Sequence, residues 1–149
     1  MASRRKGREY ALQLLFRSEF SDPGDSEELI VGAREVDAQT RAFAQFLHDG
    51  YLENETEIDR LIRKHARHWK LERMATVDRS ILRMAITEFL LTATPRVVVI
   101  DEAIEVARKF SGEEATEFVN GILDAIRKDL DAAGNAQAGG EETEGRLNG

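Results

Sequence analysis

The strongest hydrophobic pattern in the chain lies in residues 100–130 and predicts two consecutive amphipathic helices. Apolar residues recur at intervals of three and four, which is the spacing that places side chains on one face of an α-helix. Charged residues occupy the opposite faces. The apolar positions are Ile100, Ala103, Ile104, Ala107 and Phe110 in the first helix, and Phe118, Val119, Ile122, Leu123 and Ile126 in the second.

The residues between these two helices, 111–114, predict a tight corner. Ser111 and Glu114 have the three-residue spacing of a capping box, in which each side chain accepts a hydrogen bond from an otherwise unpaired backbone N–H. Asn120 and Gly121 could form a hairpin turn, but the apolar spacing on both sides favours a helix interior. Glycine destabilises a helix interior by about 1 kcal/mol relative to alanine, so we expect another backbone to pack closely against Gly121.

Helical spacing also predicts most of the preceding chain. Residues 4–20 begin basic and become amphipathic, which indicates a helix with a fraying start. Residues 37–66 predict either one long helix or two helices with a bend near Glu53 and Asn54. A further helix is expected over residues 77–91, with Thr76 as its N-cap.

Two shorter stretches complete the secondary-structure prediction. The sequence SDPGDS at residues 21–26 predicts a loop, and Asp25 or Ser26 could then cap a helix over residues 27–35. Residues 97–100 are β-branched like a strand but have no partner strand elsewhere in the sequence. We therefore interpret them as the buried start of the helix that follows.

The composition predicts an all-α domain with an extension at each end. The chain has 149 residues, only two prolines and little of the alternation typical of strands. We expect a basic flexible arm at residues 1–8, a helical domain at residues 4–130 and a disordered acidic tail at residues 131–149. No signal-like segment or bilayer-length apolar run is evident in the sequence, so we expect a soluble, cytoplasmic protein with no membrane partner.

The distribution of charge is more informative than the formal net charge of −7. The first eight residues contain Arg4, Arg5, Lys6 and Arg8 and no acidic residue. Such a cluster is either a solvated terminus or a site for phosphate groups, whose binding would be salt-dependent. Salt screens charge interactions beyond roughly 10 Å at moderate ionic strength. A basic segment can therefore attract a nearby anion even when the protein as a whole is acidic.

The sequence contains no arrangement typical of an enzyme. It has no cysteine, three scattered histidines, no nucleophile motif and no glycine-rich phosphate loop. His65 and His68 are three residues apart, but a metal site needs more ligands, so we expect neither metal nor cofactor. Trp69, with Leu71 and Met74, is interpreted as a core anchor. These observations favour a binding module.

Three segments carry a recognisable signature: RRKGREYALQLLF at residues 4–16, WKLER with VDRSILRMA and Glu88 within residues 69–88, and IDEAIEVARKF with FVNGILD within residues 100–124. Together they resemble the NusB family of bacterial transcription antitermination factors. Of the two runs in the last segment, FVNGILD is the more specific. The chain departs from the family pattern at Thr87, where an aromatic residue is common, and at Glu114, where aspartate is usual.

The resemblance implies a compact all-α fold of two packed helical bundles with about six to seven helices. It also implies a function: binding of boxA-type single-stranded RNA together with the ribosomal protein NusE. In that role the protein would act in an RNA polymerase antitermination complex and promote processive transcription of ribosomal RNA operons.

Carried over by position, the resemblance and the basic cluster identify two sets of site residues. Core packing is the alternative for the aromatic residues, helix capping for Glu114, and satisfaction of buried backbone for Asn120. An ion-pair network between helices is the favoured role of Asp78, Arg79 and Arg83. The RNA-binding set is Arg4, Arg5, Lys6, Arg8, Phe16, Phe110, Glu114, Phe118 and Asn120, and the protein-partner set is Glu88 and Arg83.

Two other functions remain open from the sequence. NusB-like helical domains also serve as RNA-binding accessories of RNA cytosine methyltransferases. Some family members instead associate with themselves, so a homodimer or another purely protein-binding module is a further possibility.

Overall fold

The computed structural model describes residues 3–20 and 36–148, and within them the chain forms six α-helices and one short 3-10 turn, at Leu71–Arg73. The expected helix over residues 27–35 lies outside the described residues. No helix among those described is long and apolar enough to cross a membrane. The helices are α1 (Arg4–Ser18), α2 (Ala38–Glu53), α3 (Glu55–His65), α4 (Thr76–Leu91), α5 (Arg96–Phe110) and α6 (Glu113–Asn148).

Polar side chains define where the first helices begin and end. Ser3 Oγ accepts a hydrogen bond from the backbone N–H of Lys6, and Asp37 Oδ1 accepts one from that of Thr40 at 2.8 Å. At Asn54 the side-chain amide donates to the carbonyl of Gly50 at 2.8 Å and terminates α2. Residues 37–66 are therefore two helices that meet at Asn54, the second of the two alternatives drawn from the sequence.

Helix α4 is the centre of the fold, because it packs against every other α-helix. Helices α1 and α2 form one bundle with it, and α3, α5 and α6 form the other. Its buried side chains extend around most of its circumference, as expected for a helix enclosed by others. They are Ser80, Ile81, Leu82, Met84, Ala85, Ile86, Thr87, Glu88 and Phe89. The predicted all-α fold of two packed bundles is confirmed.

Two predictions about helix starts need correction. Thr76 is the first residue of α4 and not its cap; Ala75 occupies the N-cap, and Thr76 Oγ1 instead accepts a hydrogen bond from Arg79. Residues 97–100 do start a helix, but only Val99 and Ile100 are buried, whereas Val97 and Val98 are exposed. A helix turns its side chains through 100° per residue, so four consecutive residues cannot all face the core.

The end of the chain continues α6. The disordered tail expected at residues 131–149 stays a prediction, and the helical backbone of α6 extends as far as Asn148. Ala132, Ala133 and Gly134 are exposed, so the helix leaves the core after Leu130. Residues 131–148 contain as many glycines as alanines, so helix propensity alone does not account for the helical backbone there.

Candidate nucleic-acid interface

The basic start of α1 and the corner between α5 and α6 lie on the same side of the molecule. Ion pairs join α1 to α5: Glu102 pairs with Arg5 at 3.2 Å and with Arg8 at 3.9 Å, and Glu9 pairs with Lys109 at 2.8 Å. The later residue of α1 pairs with the later residue of α5, so the two helices run in the same direction. The cationic segment therefore lies alongside the helix that ends at the predicted corner.

The described part of the predicted arm, residues 3–8, forms the start of α1, which begins at Arg4 and is capped by Ser3. The guanidinium of Arg4 lies 4.1 Å from the centre of the Phe43 ring. Arg5 is exposed, and its hydrogen bond and charge interaction with Glu102 raise the pKa of Arg5 and lower that of Glu102. The side chain of Lys6 is exposed and has no ion pair among the described residues.

Arg8 has a structural role, contrary to its assignment to RNA. Its guanidinium donates two hydrogen bonds to the carboxylate of Glu88, from Nε at 2.8 Å and from Nη2 at 2.6 Å. Both side chains are buried, at 6% and 1% exposure. A cation satisfied inside the protein is not available to a phosphate, and Glu88 is equally unavailable to a protein partner. The burial of this ion pair therefore argues against assigning Arg8 to RNA and Glu88 to a protein partner.

The corner is built by Gly112 and not by a capping box. Ser111 terminates α5, where its backbone N–H donates to the carbonyl of Ala107 at 2.8 Å. Its hydroxyl donates to Asp78 Oδ1 of α4 at 2.5 Å, so it is not engaged with the start of α6. Gly112 has a φ of 129°, a region that favours glycine, and α6 begins at the next residue.

The two aromatic residues of the corner differ in exposure. Phe110 is 38% exposed, with the Lys109 ammonium 5.4 Å from the centre of its ring. Phe118 is partly buried and packs against the core. Glu114 and Asn120 are both exposed, and the side chain of Asn120 makes no hydrogen bond within the described part of the chain. The corner thus presents one open ring, one half-covered ring and two polar side chains.

Trp69 is not the core anchor that the sequence suggested, because it is 61% exposed. Leu71 and Met74 occupy the core positions, and the indole lies edge-on to Phe118, with ring centres 5.5 Å apart. Its neighbours Arg67, His68 and Lys70 are all charged or polar, and this feature of the sequence could have predicted an exposed segment. A cleft of about 370 Å³ opens here, lined by Trp69, Arg73, Met74, Ala75, Asp78, Ser111, Glu114, Ala115 and Phe118.

Gly121 is exposed, and a Cβ atom added there would meet nothing within 4 Å. The expectation that another backbone packs against it is therefore wrong for the described residues. Nothing within the fold explains a glycine in the middle of α6.

The favoured ion-pair network at the start of α4 is present for two of its three residues. Glu19 accepts hydrogen bonds from Arg79 at 2.5 Å and Arg83 at 2.6 Å, and Arg83 also pairs with Asp59 at 3.1 Å. Partial burial raises the pKa of Glu19, but the two arginines outweigh it and hold the pKa below its ordinary value. Arg83 is 14% exposed, so it offers little to a partner. Asp78 pairs with Ser111 instead.

Phe16 lies near this network on the last turn of α1. It is 36% exposed, and its ring centre lies 5.1 Å from that of the more exposed Phe20. The pair forms an aromatic patch on the surface, which is compatible with the assignment of Phe16 to a binding surface.

The sequence is similar to a family of known proteins over most of its length. The sequence profile of the NusB family matches residues 5–128. The transcription antitermination protein NusB of Koribacter versatilis is 45% identical over 134 residues, which cover 87% of this chain and 92% of the relative. That of Geobacter sulfurreducens is 44% identical over 134 residues, with 87% and 97% covered.

Solved structures give the same result. T. maritima NusB superposes with a TM-score of 0.74 at 37% identity, covering 86% of this chain and 93% of that one. A chain from the crystal structure of antitermination factors NusB and NusE in complex with dsRNA gives 0.73 at 29% identity, with 85% and 96% covered. With a family profile that spans most of its length and relatives more than 40% identical, this chain belongs to the NusB family.

Proposed function

We propose that this protein is an antitermination factor that binds boxA-type single-stranded RNA together with the ribosomal protein NusE. In this role it promotes processive transcription of ribosomal RNA operons as part of an RNA polymerase antitermination complex. The observation that carries the proposal is the position of the exposed cations of α1 beside the α5–α6 corner, joined through the Arg5–Glu102 and Glu9–Lys109 ion pairs.

The arrangement suits a single strand of RNA. Sequence-specific RNA readers stack unpaired bases on flat side chains and hold the phosphates with cations. In this proposal Arg5 and Lys6, supported by Arg4, contact the phosphates of the RNA backbone. The rings of Phe110 and Phe118 stack on unpaired bases. Glu114 and Asn120 form hydrogen bonds with the edges of those bases. Phe16 extends the aromatic surface along α1. Arg8 supports the surface from inside through Glu88.

In this proposal the protein partner contacts residues other than Glu88 and Arg83, because the side chains of both are engaged in ion pairs within the fold. An acidic protein that meets a basic ribosomal protein gains mainly in the rate and orientation of encounter. The net charge of −7 fits such a partner.

A titration of labelled boxA RNA tests the proposal, carried out with the chain alone and with NusE. We expect NusE to strengthen binding markedly. RNA binding that is indifferent to NusE would favour an accessory domain like those of RNA cytosine methyltransferases. A concentration-dependent dimer that excludes RNA would favour self-association, and either result would refute the proposal.

The salt dependence of the same titration tests the cationic segment. Changing Arg5 and Lys6 together to alanine should reduce the slope of log affinity against log salt by about 1.4, because each phosphate contact to a single strand contributes about 0.7. Arg8 is left unchanged in this variant, because its removal would leave the buried carboxylate of Glu88 without a partner.

The control is the double change Arg60→Ala and Arg63→Ala on α3, where both cations are exposed. It alters the net charge by the same amount. If both variants change the slope equally, the effect is one of overall charge and α1 has no specific role.

A further inference from the structure

The cleft beside the corner has features that the function above does not use. Trp69 forms one wall and is 61% exposed, although a tryptophan left open to water sacrifices favourable burial. Its ring is held edge-on to Phe118, at 5.5 Å between centres. The volume of about 370 Å³ lies within the range of small-ligand pockets, about 300–1,000 Å³.

We propose that this cleft binds one unpaired base of the RNA strand, with the indole of Trp69 as its stacking platform. The inference rests on the proposed function, because the cleft shares Glu114 and Phe118 with the corner. A strand that crosses the corner therefore reaches the cleft without a break in the surface. Bases stack on aromatic rings with little regard to sequence, so the platform alone accepts any base.

The polar groups of the cleft add a preference among bases. Asp78 and Glu114 both line the cleft. Oδ1 of Asp78 already accepts a hydrogen bond from Ser111, but a carboxylate has further acceptor sites and donates no hydrogen bond when ionised. Cytosine carries an amino group where uracil carries a carbonyl oxygen. The cleft therefore favours cytosine, or another base with an exocyclic amino group, over uracil.

Arg73 supplies the charge for the strand. It lines the cleft, is exposed, and has no ion pair within the described part of the chain. Its guanidinium is available to the phosphate next to the bound base or to a base face. The cleft thus combines two carboxylates with one exposed cation, which suits a nucleotide better than a wholly anionic ligand.

Intrinsic fluorescence tests the cleft directly, because Trp69 is the single tryptophan of the chain. Oligocytidine and oligouridine are titrated into the full chain, with and without NusE, and the emission of Trp69 is followed. Stacking of a base on the indole should quench the emission, and oligocytidine should quench it at lower concentration than oligouridine. Glu114→Gln should reduce the difference between the two.

Variants separate stacking from folding. Trp69→Ala should weaken the binding of labelled RNA about tenfold, within the range of measured base–aromatic stacking, and Trp69→Phe should weaken it less because a ring remains. The matched control is Phe46→Ala, an exposed aromatic residue on α2, which should leave affinity unchanged. Because Trp69 is exposed, thermal unfolding should differ little between wild type and Trp69→Ala.

The outcomes distinguish this inference from the function on which it rests. If labelled RNA binds tightly but Trp69 emission and the affinity of Trp69→Ala are unchanged, the cleft is empty and only this inference fails. If NusE alone quenches Trp69 and RNA adds nothing, the cleft is a protein contact and the inference is overturned. If no RNA binds under any condition, the proposed function fails and the inference fails with it.

Discussion

Charged side chains of this protein fall into two groups that differ in burial and therefore in role. Arg8 and Glu88 form a bidentate pair inside the protein and hold α1 to α4. Arg5 and Lys6, on the exposed side of the same helix, remain accessible to solvent. Removing one member of a buried ion pair typically costs 3–5 kcal/mol, whereas an exposed pair contributes about 0–1 kcal/mol. Within this short segment, Arg8 therefore stabilises the fold, whereas Arg5 and Lys6 are available for binding.

The network around Glu19 predicts a pH-dependent stability. Glu19→Gln should destabilise the protein at pH 7 by about 2 kcal/mol, since Arg79 and Arg83 lose a shared carboxylate that is only 18% exposed. The pKa of Glu19 is lower in the folded state, so its stabilisation is present above the unfolded value of about 4.5 and is lost as the pH falls through the folded value.

Urea unfolding at pH 7 and at pH 3 measures this effect. The difference between wild type and Glu19→Gln should be smaller at pH 3, because this pH lies below the unfolded value of about 4.5 and the carboxylate is then protonated in the unfolded state. An equal difference at both pH values would mean that the charge of Glu19 does not stabilise the fold.

At the scale of elements, glycines occupy three different environments. Gly112 has a positive φ and makes the corner possible. A Cβ atom on Gly7 would lie 2.7 Å from Cδ2 of Phe43, so this glycine permits α1 and α2 to approach closely. Gly121 has neither a positive φ nor a close neighbour, so neither backbone conformation nor packing requires a glycine there.

These environments predict opposite effects of the same substitution. Gly121→Ala should raise the free energy of unfolding by about 1 kcal/mol, because alanine is the better helix former and the added methyl group finds open space. Gly7→Ala, also within a helix, should lower it, because the methyl group meets the Phe43 ring. Thermal or urea unfolding of the two variants measures these effects. A Gly121→Ala variant less stable than wild type would contradict the open, helical environment of Gly121 in α6.

At the scale of the whole molecule, α4 joins two bundles, and the candidate interface is assembled from both. Helix α1 belongs to the first bundle, and the α5–α6 corner belongs to the second. The Arg8–Glu88 pair links α1 to α4, and the Ser111–Asp78 hydrogen bond links the corner to α4. The relative position of the cations and the aromatic rings therefore depends on the packing of both bundles against one helix.

The end of α6 should contribute little to this packing. Removal of residues 132–149 should change the free energy of unfolding by less than about 0.5 kcal/mol, because the side chains just beyond Asp131 are exposed. The cut preserves Asp131, which pairs with Arg96 at 2.5 Å and Arg127 at 3.0 Å.

A second truncation, after Ala125, provides the comparison. It removes Ile126, whose side chain is fully buried, and should destabilise the protein strongly. A clear loss of stability in the shorter cut, at 132, would instead show that the tail packs on the domain.

Local pattern was sufficient to predict the helices, because helix formation depends on residues three and four apart in the sequence. The stripes of α5 and α6 were predicted correctly at Ala103, Ala107, Val119 and Leu123, all of which are buried. The same local rules misassigned Thr76 and Ser111, because each hydroxyl bonds to a group that the helix pattern does not reveal.

By itself, the sequence determined that the chain is helical, where most of its helices lie, and that it resembles the NusB family. Tertiary structure alone decided which charged and aromatic side chains reach the surface. Arg8 is buried because Glu88, eighty residues later, lies against it, and Trp69 is exposed because Leu71 and Met74 occupy the core. Burial depends on which distant element covers a side chain, and a local sequence pattern carries no record of that neighbour.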